Sequence, residues 1–319
     1  MSKIRVGVVR GGPSSEYAIS LKTGENVLKN LDPGKYAPVD ILLTKRGDWY
    51  MNGVRVDLGT IAERVDVVWN ALHGAFGEDG KVQRLFELFG IQYTGSGVLG
   101  SAIGMNKELA KERFREAGLL TPYSDHVSGE EDFGTAAFQR FRHGHLPVMV
   151  KPVAAGSSVG ITLAQTFNNL HDAIRKASQH GDVLLEEYVE GMDATVGVID
   201  GSSAGEYFAL HPVEVLLPEE NIFYDYDAKY GGESEMICPG RFSPEVSAQL
   251  RDMAVKAHQA VGAKHYSRTD FIVSPKGIYV LEINTLPGLS VLFPRSLRAS
   301  GAEFPEFLDH VIGLALAPQ

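Results

Sequence analysis

Between Ser267 and Ser290 the sequence SRTDFIVSPKGIYVLEINTLPGLS carries two acids, an amide and an arginine at spacings that one surface can gather. A hairpin turning on the three-residue loop Pro275, Lys276 and Gly277 pairs Asp270 with Glu282 and Arg268 with Asn284. Strand side chains alternate between faces, so this pairing turns those four one way and Phe271, Val273, Leu281 and Ile283 the other. Two carboxylates and an amide are hard oxygen donors of the kind that hold Mg²⁺, which completes its octahedron with water and substrate phosphates. A nucleotide with its metal is the ligand such a face suits. A solvated hairpin face with ordinary salt bridges has the same composition.

The run LPVMVKP, residues 146 to 152, is short and apolar and ends in Lys151; AAGSSVGI, residues 154 to 161, follows it. An apolar run, a small-residue loop with Gly156 and Gly160, and a second apolar run read as strand, loop, strand. Such a loop can bring backbone N–H groups and the hydroxyls of Ser157 and Ser158 to phosphate oxygens, with Lys151 adding positive charge. It is not the G-x-x-x-x-G-K-[ST] phosphate loop and opens no helix, and a plain surface loop fits it too. VLLEEYVEGMD, residues 183 to 193, runs from an apolar strand into Glu186, Glu187 and Asp193. Those acids suit either a grip on adenine and ribose or a solvated strand end.

Elements must hold these groups in place. IRVGVV (4 to 9), VDILLT (39 to 44) and VDVVWN (65 to 70) have the length of buried strands, and SEYAISLKTGENVLKNL (15 to 31) between them suits a helix. That pattern predicts a small parallel-sheet domain over about the first hundred residues. In residues 100 to 122 Asn106 reads as a helix cap, Gly118 as a left-handed C-terminal residue and Pro122 as a stop. A later helix is capped by Ser243, takes Pro244 in its first turn and carries Val246, Leu250, Met253, Ala254, Ala257 and Val261 as an apolar stripe before Gly262. The expected division is three domains: 1–102, 103–187 and 188–319.

Composition narrows the partners. With 30 basic and 40 acidic residues the formal net charge is −10, which argues against nucleic acid or an acidic membrane as a partner. No apolar run approaches the roughly 18 residues that span a bilayer, and MSKIRVGVV is too short for a signal peptide. A cytoplasmic protein is expected. The lone Cys238 excludes an intrachain disulfide framework and, with no accompanying histidine motif, reads as a packed residue.

Seven blocks, in order along the chain, carry a resemblance: RGGPSSEYAISLKTG (10 to 24), ALHGAFGEDGKVQRLFELFGIQYTGSG (71 to 97), MNK (105 to 107), KPVAAGSSVGI (151 to 161), YDYDAKY (224 to 230), SRTDF (267 to 271) and EINTLPG (282 to 288). Together they resemble the D-alanine:D-alanine ligases of the ATP-grasp superfamily, over essentially the whole chain. The resemblance implies an α/β (α+β) ATP-grasp fold of three domains, the first a Rossmann-like parallel sheet. It further implies ATP and two Mg²⁺ ions, with Mn²⁺ as a substitute, and a homodimer. The activity implied is ligation of two D-alanines through an acyl phosphate, for peptidoglycan synthesis.

Position by position, the resemblance makes Asp270, Glu282 and Asn284 the metal ligands, with Glu282 shared, and Lys107, Lys151 and Lys229 the phosphate contacts. Glu186, Glu187 and the backbone near Val189 would meet adenine, and Asp193, where the family usually has glutamate, the ribose. Glu16 would hold the ammonium of the first D-alanine with His73 nearby, while Arg268 and the Gly288 N–H would face the developing charge. Ser157 and Tyr230 would join Glu16 in a hydrogen-bonded set that pins the lid FYDYDAKY over the site and keeps water from the acyl phosphate.

Two departures bear on substrate choice. GLSVLFPRSL, residues 288 to 297, is shorter than the family pattern, so Ser290 is the nearest counterpart of the serine that binds the acceptor carboxylate, and Ser296 lies too far along to align. Ala18 and Ile19 stand where the family commonly has an acidic or polar residue and then valine. An ATP-grasp ligase with another acceptor, such as D-serine, D-lactate or a small amine, remains the main alternative. A nucleotide-binding protein with a dead site would lack metal ligands or lysines that are present here. A nicotinamide-dependent dehydrogenase would show G-x-G-x-x-G after the first strand, and RGGPSSE does not match.

Overall fold

The computed structural model describes residues 2–128, 132–142, 146–154, 156, 160–216 and 235–317. Three sheets succeed one another along the chain. In the first, β1 (Ile4–Gly11) leads through α1 (Tyr17–Asn30) to the parallel β2 (Tyr36–Leu43). An antiparallel edge hairpin of β3 (Trp49–Met51) and β4 (Val54–Val56) follows. α2 (Leu58–Arg64) then returns the chain to β5 (Val67–Asn70), parallel to β1 on its other side, and α3 (Lys81–Leu88) follows. The order is β4-β3-β2-β1-β5. Both faces of its parallel part are covered, which is why these strands are almost wholly apolar. Val6, Val8, Val67 and Trp69 pack one way, against Val27 of α1 and Leu31 just after it, while Val9, Ile41, Leu43 and Val68 pack the other way with Ile61 and Phe86.

Asn106 separates α4 (Val98–Met105) from α5 (Lys107–Glu116), its side chain accepting the N–H groups of Glu108 and Leu109. The second sheet takes β6 (Ser124–Val127), β7 (Val148–Pro152), β8 (Thr162–Ala164) and β9 (Val183–Glu187) in the antiparallel order β6-β9-β7-β8. Between these strands run α6 (Phe133–Arg142) and α7 (Phe167–Ala177), whose Ala137, Leu170 and Ile174 close its core.

The third sheet is also antiparallel. Its strands β10 (Met192–Asp200), β11 (Tyr207–Ala209), β12 (Val213–Leu216), β13 (Glu235–Ile237), β14 (Tyr266–Ser274) and β15 (Gly277–Asn284) lie in the order β13-β12-β10-β14-β15, with β11 on β10. Before β14 comes α8 (Pro244–Ala260), capped by Ser243, whose Leu250, Ala254 and Ala257 pack with Phe271, Val280 and Ile283. Ala110 and Phe114 of α5 enter the same core. The chain ends in α9 (Leu292–Ala299) and α10 (Phe304–Leu316). Phe293, Phe307 and Val311 from these helices share the core of the first sheet with Trp69 and Tyr266, so the two ends of the chain are packed together. Among the described residues no helix is long and apolar enough to cross a membrane.

The β14–β15 hairpin corrects one expectation. Ser274 pairs with Gly277, so the loop is the two residues Pro275 and Lys276 rather than three. That moves the register by one near the turn, and a β-bulge beyond Phe271 absorbs the difference by leaving Leu281 as an extra residue. Asp270 still faces Glu282, and Arg268 still faces Asn284. Leu281, however, lines the cleft with Ile272 and Glu282 instead of joining Phe271 and Ile283 in the core.

Candidate active site

A cleft lies between the second and third sheets, with Met149, Lys151 and Glu186 on one wall and Asp193, Asp270 and Glu282 on the other. Asp270 is fixed from two sides. Arg268, two residues earlier on the same face, donates from Nε at 3.1 Å and from Nη2 at 3.2 Å. Thr195, across the β10–β14 pairing, donates from Oγ1 at 2.6 Å. Glu282 Oε2 lies 3.5 Å from Lys107 Nζ. Lys107 reaches it because the break at Asn106 makes Lys107 the first residue of α5, where its backbone N–H bonds to Val153 O at 3.0 Å and so ties the helix to the loop after β7. Asn284 Oδ1 accepts the Leu286 N–H at 2.9 Å.

Among the described residues no cluster of three or more His, Cys, Asp or Glu side chains is arranged to hold a metal alone. Two facing carboxylates with an amide two residues along the strand nonetheless fit a hard divalent ion that takes its remaining oxygens from a nucleotide and water. Arg268 and Lys107 already balance the two acids, so this wall of the cleft is charged but compensated.

At the far end of the cleft Glu186 is 2% exposed and held between two ammonium groups. One carboxylate oxygen meets Lys151 Nζ, and the other lies 2.7 Å from Lys111 Nζ. Lys111 Nζ also donates to Pro122 O at 2.9 Å. Burial pushes the Glu186 carboxyl up, but the charges of Lys151 and Lys111 outweigh it and hold the group below the usual carboxylate range. Burial draws the Lys111 ammonium below its usual range, against the pull of Glu186. Glu187 accepts the Tyr123 N–H at 3.3 Å, Val189 lines the cleft beside it, and Asp193 stands on β10 between Val215 and Ile272.

Glu16 and His73 follow the carboxyl ends of β1 and β5, the adjacent strands at which the first sheet reverses its order. Open parallel sheets bind ligands at this kind of switch point. Glu16 is 8% exposed, and a side chain at Gly74 (φ +70°) would come within 2.5 Å of its Oε2, so glycine leaves it room. The loop after β7 reaches the same acid: the Cβ position of Gly156 is 3.4 Å from Glu16 Oε2. Both ring nitrogens of buried His73 are engaged, Nε2 with Thr23 Oγ1 at 2.8 Å and Nδ1 with Glu78 Oε1 at 3.2 Å.

Gly288 is half-buried with open space on its side-chain side, and the turn after it is tied to α1 by Asn26 Nδ2, which donates to Leu289 O at 2.7 Å. Ser290 is exposed in that turn. Ser296 is buried in α9 with Oγ committed to His211 O at 2.7 Å, which removes it as an acceptor-binding group. Ser157, Lys229 and Tyr230 lie outside the described residues. Lys111 and Thr195 are the additions that sequence reasoning missed. The first had a faint signal, a second lysine one helical turn after Lys107 and therefore on its side of the helix. Thr195 had none, since only the β10–β14 pairing brings it to Asp270.

Comparison with solved structures places this arrangement. The VanG D-Ala:D-Ser ligase of Enterococcus faecalis superposes with a TM-score of 0.86 at 29% identity, covering 98% of this chain and 100% of that one. A D-alanine–D-alanine ligase of Bacillus anthracis complexed with ATP gives 0.82 at 28% identity, covering 98% and 97%. The fold and its cleft are those of an ATP-grasp ligase, an enzyme that uses ATP to join its substrates. Family models described as D-ala D-ala ligase N-terminus and C-terminus match residues 5–59 with 54–96, and 124–313. D-alanine–D-alanine ligases of Syntrophobacter fumaroxidans and Desulfotalea psychrophila are 41% and 38% identical, over 98% of this chain and 98% and 95% of theirs. The chain belongs to the D-alanine–D-alanine ligase family.

Proposed function

We propose that this chain joins two D-alanines to D-alanyl-D-alanine for peptidoglycan synthesis, converting ATP to ADP and phosphate by way of an acyl phosphate. The observation that carries this reading is the in-register pair of Asp270 and Glu282 with Arg268 and Lys107 on the same cleft. A carboxylate does not react with an amine at neutral pH, because its oxygen is a poor leaving group. Phosphorylation by ATP solves that, provided the charge on the moving phosphoryl group is neutralised.

Lys107 and Lys151, with Lys229 from the lid sequence, would contact the phosphates. Asp270, Glu282 and Asn284 would hold two Mg²⁺ ions, or Mn²⁺ in their place, and the ions would supply charge neutralisation at the phosphoryl group. Arg268 and the Gly288 N–H would receive the charge that forms on the acyl oxygen when the second amine attacks. Glu16 would hold the ammonium of the first D-alanine, with His73 kept in one orientation by Thr23 and Glu78. Glu186, Glu187 and the backbone at Val189 would meet adenine, and Asp193 the ribose. Ser157 and Tyr230 would fasten the lid to Glu16, shielding the acyl phosphate from water. The same reading takes the chain as a cytoplasmic homodimer of three domains, 1–102, 103–187 and 188–319, with no nucleic-acid or membrane partner.

One feature favours a second acceptor. The turn after Gly288 runs directly into α9 and offers only exposed Ser290, Ser296 being committed elsewhere. D-serine is therefore the alternative acceptor to test, and D-lactate the one the lysine-bearing lid sequence disfavours. Phosphate release across D-alanine, D-serine, D-lactate and L-alanine, with products identified by mass, decides among them. A main product other than D-alanyl-D-alanine would overturn the reading.

A further inference from the structure

Lys111 is a buried cation with no place in the chemistry above. It stands one turn after Lys107 on α5, has no exposed surface, and meets Glu186 Oε2 at 2.7 Å while donating to Pro122 O at 2.9 Å. Lys151 meets the other oxygen of the same carboxylate, but the two lysines differ in position. Lys151 lines the nucleotide cleft and Lys111 does not, so Glu186 has one partner behind it and one facing the ligand.

Resting on the reading of this cleft as an ATP site, we propose that Lys111 is a positioning residue for the nucleotide, holding Glu186 in place so that Lys151 can turn from Glu186 to bound ATP. The charges give the reason. One acid between two cations leaves the Lys111–Glu186–Lys151 cluster net positive, so Glu186 does not by itself tie up Lys151. Without Lys111 the remaining Glu186–Lys151 pair neutralises itself, and drawing Lys151 toward the nucleotide would strand a buried carboxylate without a partner. Lys111 touches neither the cleft nor the reacting atoms, so its effect should fall on nucleotide affinity and not on the chemical step.

The test uses the full chain with Lys111→Met, Glu186→Gln and the double variant, following ADP binding by calorimetry, steady-state constants and thermal midpoint. Lys111→Met should raise the ADP Kd and the ATP KM by about tenfold or more while leaving kcat and the D-alanine KM within about threefold. Glu186→Gln has no charge to be held, so adding Lys111→Met to it should weaken ADP binding little further. An unchanged Kd in folded Lys111→Met, a loss that simply adds to that of Glu186→Gln, or an equal rise in the D-alanine KM would each overturn the proposal. If the single variant does not fold, the double variant measured against Glu186→Gln decides on the same criterion. ADP binding needs no D-alanine, so a failure of the ligation reading would show in products and not in this comparison.

Discussion

Asp270 and Glu282 face each other across β14 and β15 immediately beside the bulge at Leu281, which sets the two carboxylates on the cleft face while Phe271 and Ile283 enter the core. A bulge bends its strand and re-aims the side chains next to it, and here it turns Leu281 out of the core and into the cleft beside the two acids.

Glu282→Gln keeps the shape of the side chain and removes its charge. Turnover should fall at least about a hundredfold at saturating substrates, with the thermal midpoint little changed. Near-normal turnover at high Mg²⁺ would rule out the proposed role of Glu282 as a metal ligand.

Thr195→Val deletes the 2.6 Å hydrogen bond to Asp270 without changing the volume much. Groups that orient a metal ligand typically contribute about 10- to 100-fold in metal affinity. The Mg²⁺ concentration for half-maximal turnover should rise by that order, and Mn²⁺ binding in the presence of ADP should weaken in parallel. Unchanged binding would mean that Arg268 alone orients Asp270.

His265 links the first sheet to the third by accepting the Gly95 N–H at 3.0 Å. Burial pushes its pKa down from 6.5 to about 4, so the folded chain keeps the ring neutral where the unfolded chain protonates it. Stability should be flat above the unfolded value, then fall as pH drops from about 6.5 towards 4, by up to about 3 kcal/mol. His265→Asn can still accept the bond and tolerates the left-handed backbone at φ +67°, and it should remove this slope from urea unfolding curves. A slope that persists in the variant would assign the effect to other groups.

Ser290→Ala tests the turn after Gly288. If Ser290 binds the acceptor carboxylate, loss of a hydrogen bond worth roughly 1.5 to 3 kcal/mol should raise the second D-alanine KM about ten- to a hundredfold and leave the first nearly unchanged. Equal KM values in variant and wild type would show the acceptor held by other donors.

Much of the framework was legible because its signals are local. Ser243, Pro244 and Gly262 mark the bounds of α8 and Asn106 the start of α5, each by capping or backbone rules that span a few residues. Strand alternation was enough to bring Asp270, Glu282, Arg268 and Asn284 to one face. The bulge was not legible, because SPKG supports a two-residue or a three-residue loop and strand alternation alone does not choose between them. Lys111 and Thr195 escaped for a related reason: their partners, Glu186 and Asp270, come from elements distant in sequence. The engagement of both Glu186 oxygens by lysines was likewise invisible, since nothing near VLLEE specifies which helix lies behind it.

In the proposed reaction this cleft activates a D-alanine carboxylate by phosphorylation before the second amine attacks. D-alanine labelled with ¹⁸O in its carboxylate reports this directly, because the oxygen that attacks the γ-phosphorus leaves with the phosphate when the peptide bond forms. The expected result is one ¹⁸O in the released phosphate for each D-alanyl-D-alanine formed, both read by mass. Dipeptide accompanied by unlabelled phosphate, or phosphate released without dipeptide, would rule out an acyl phosphate on the path.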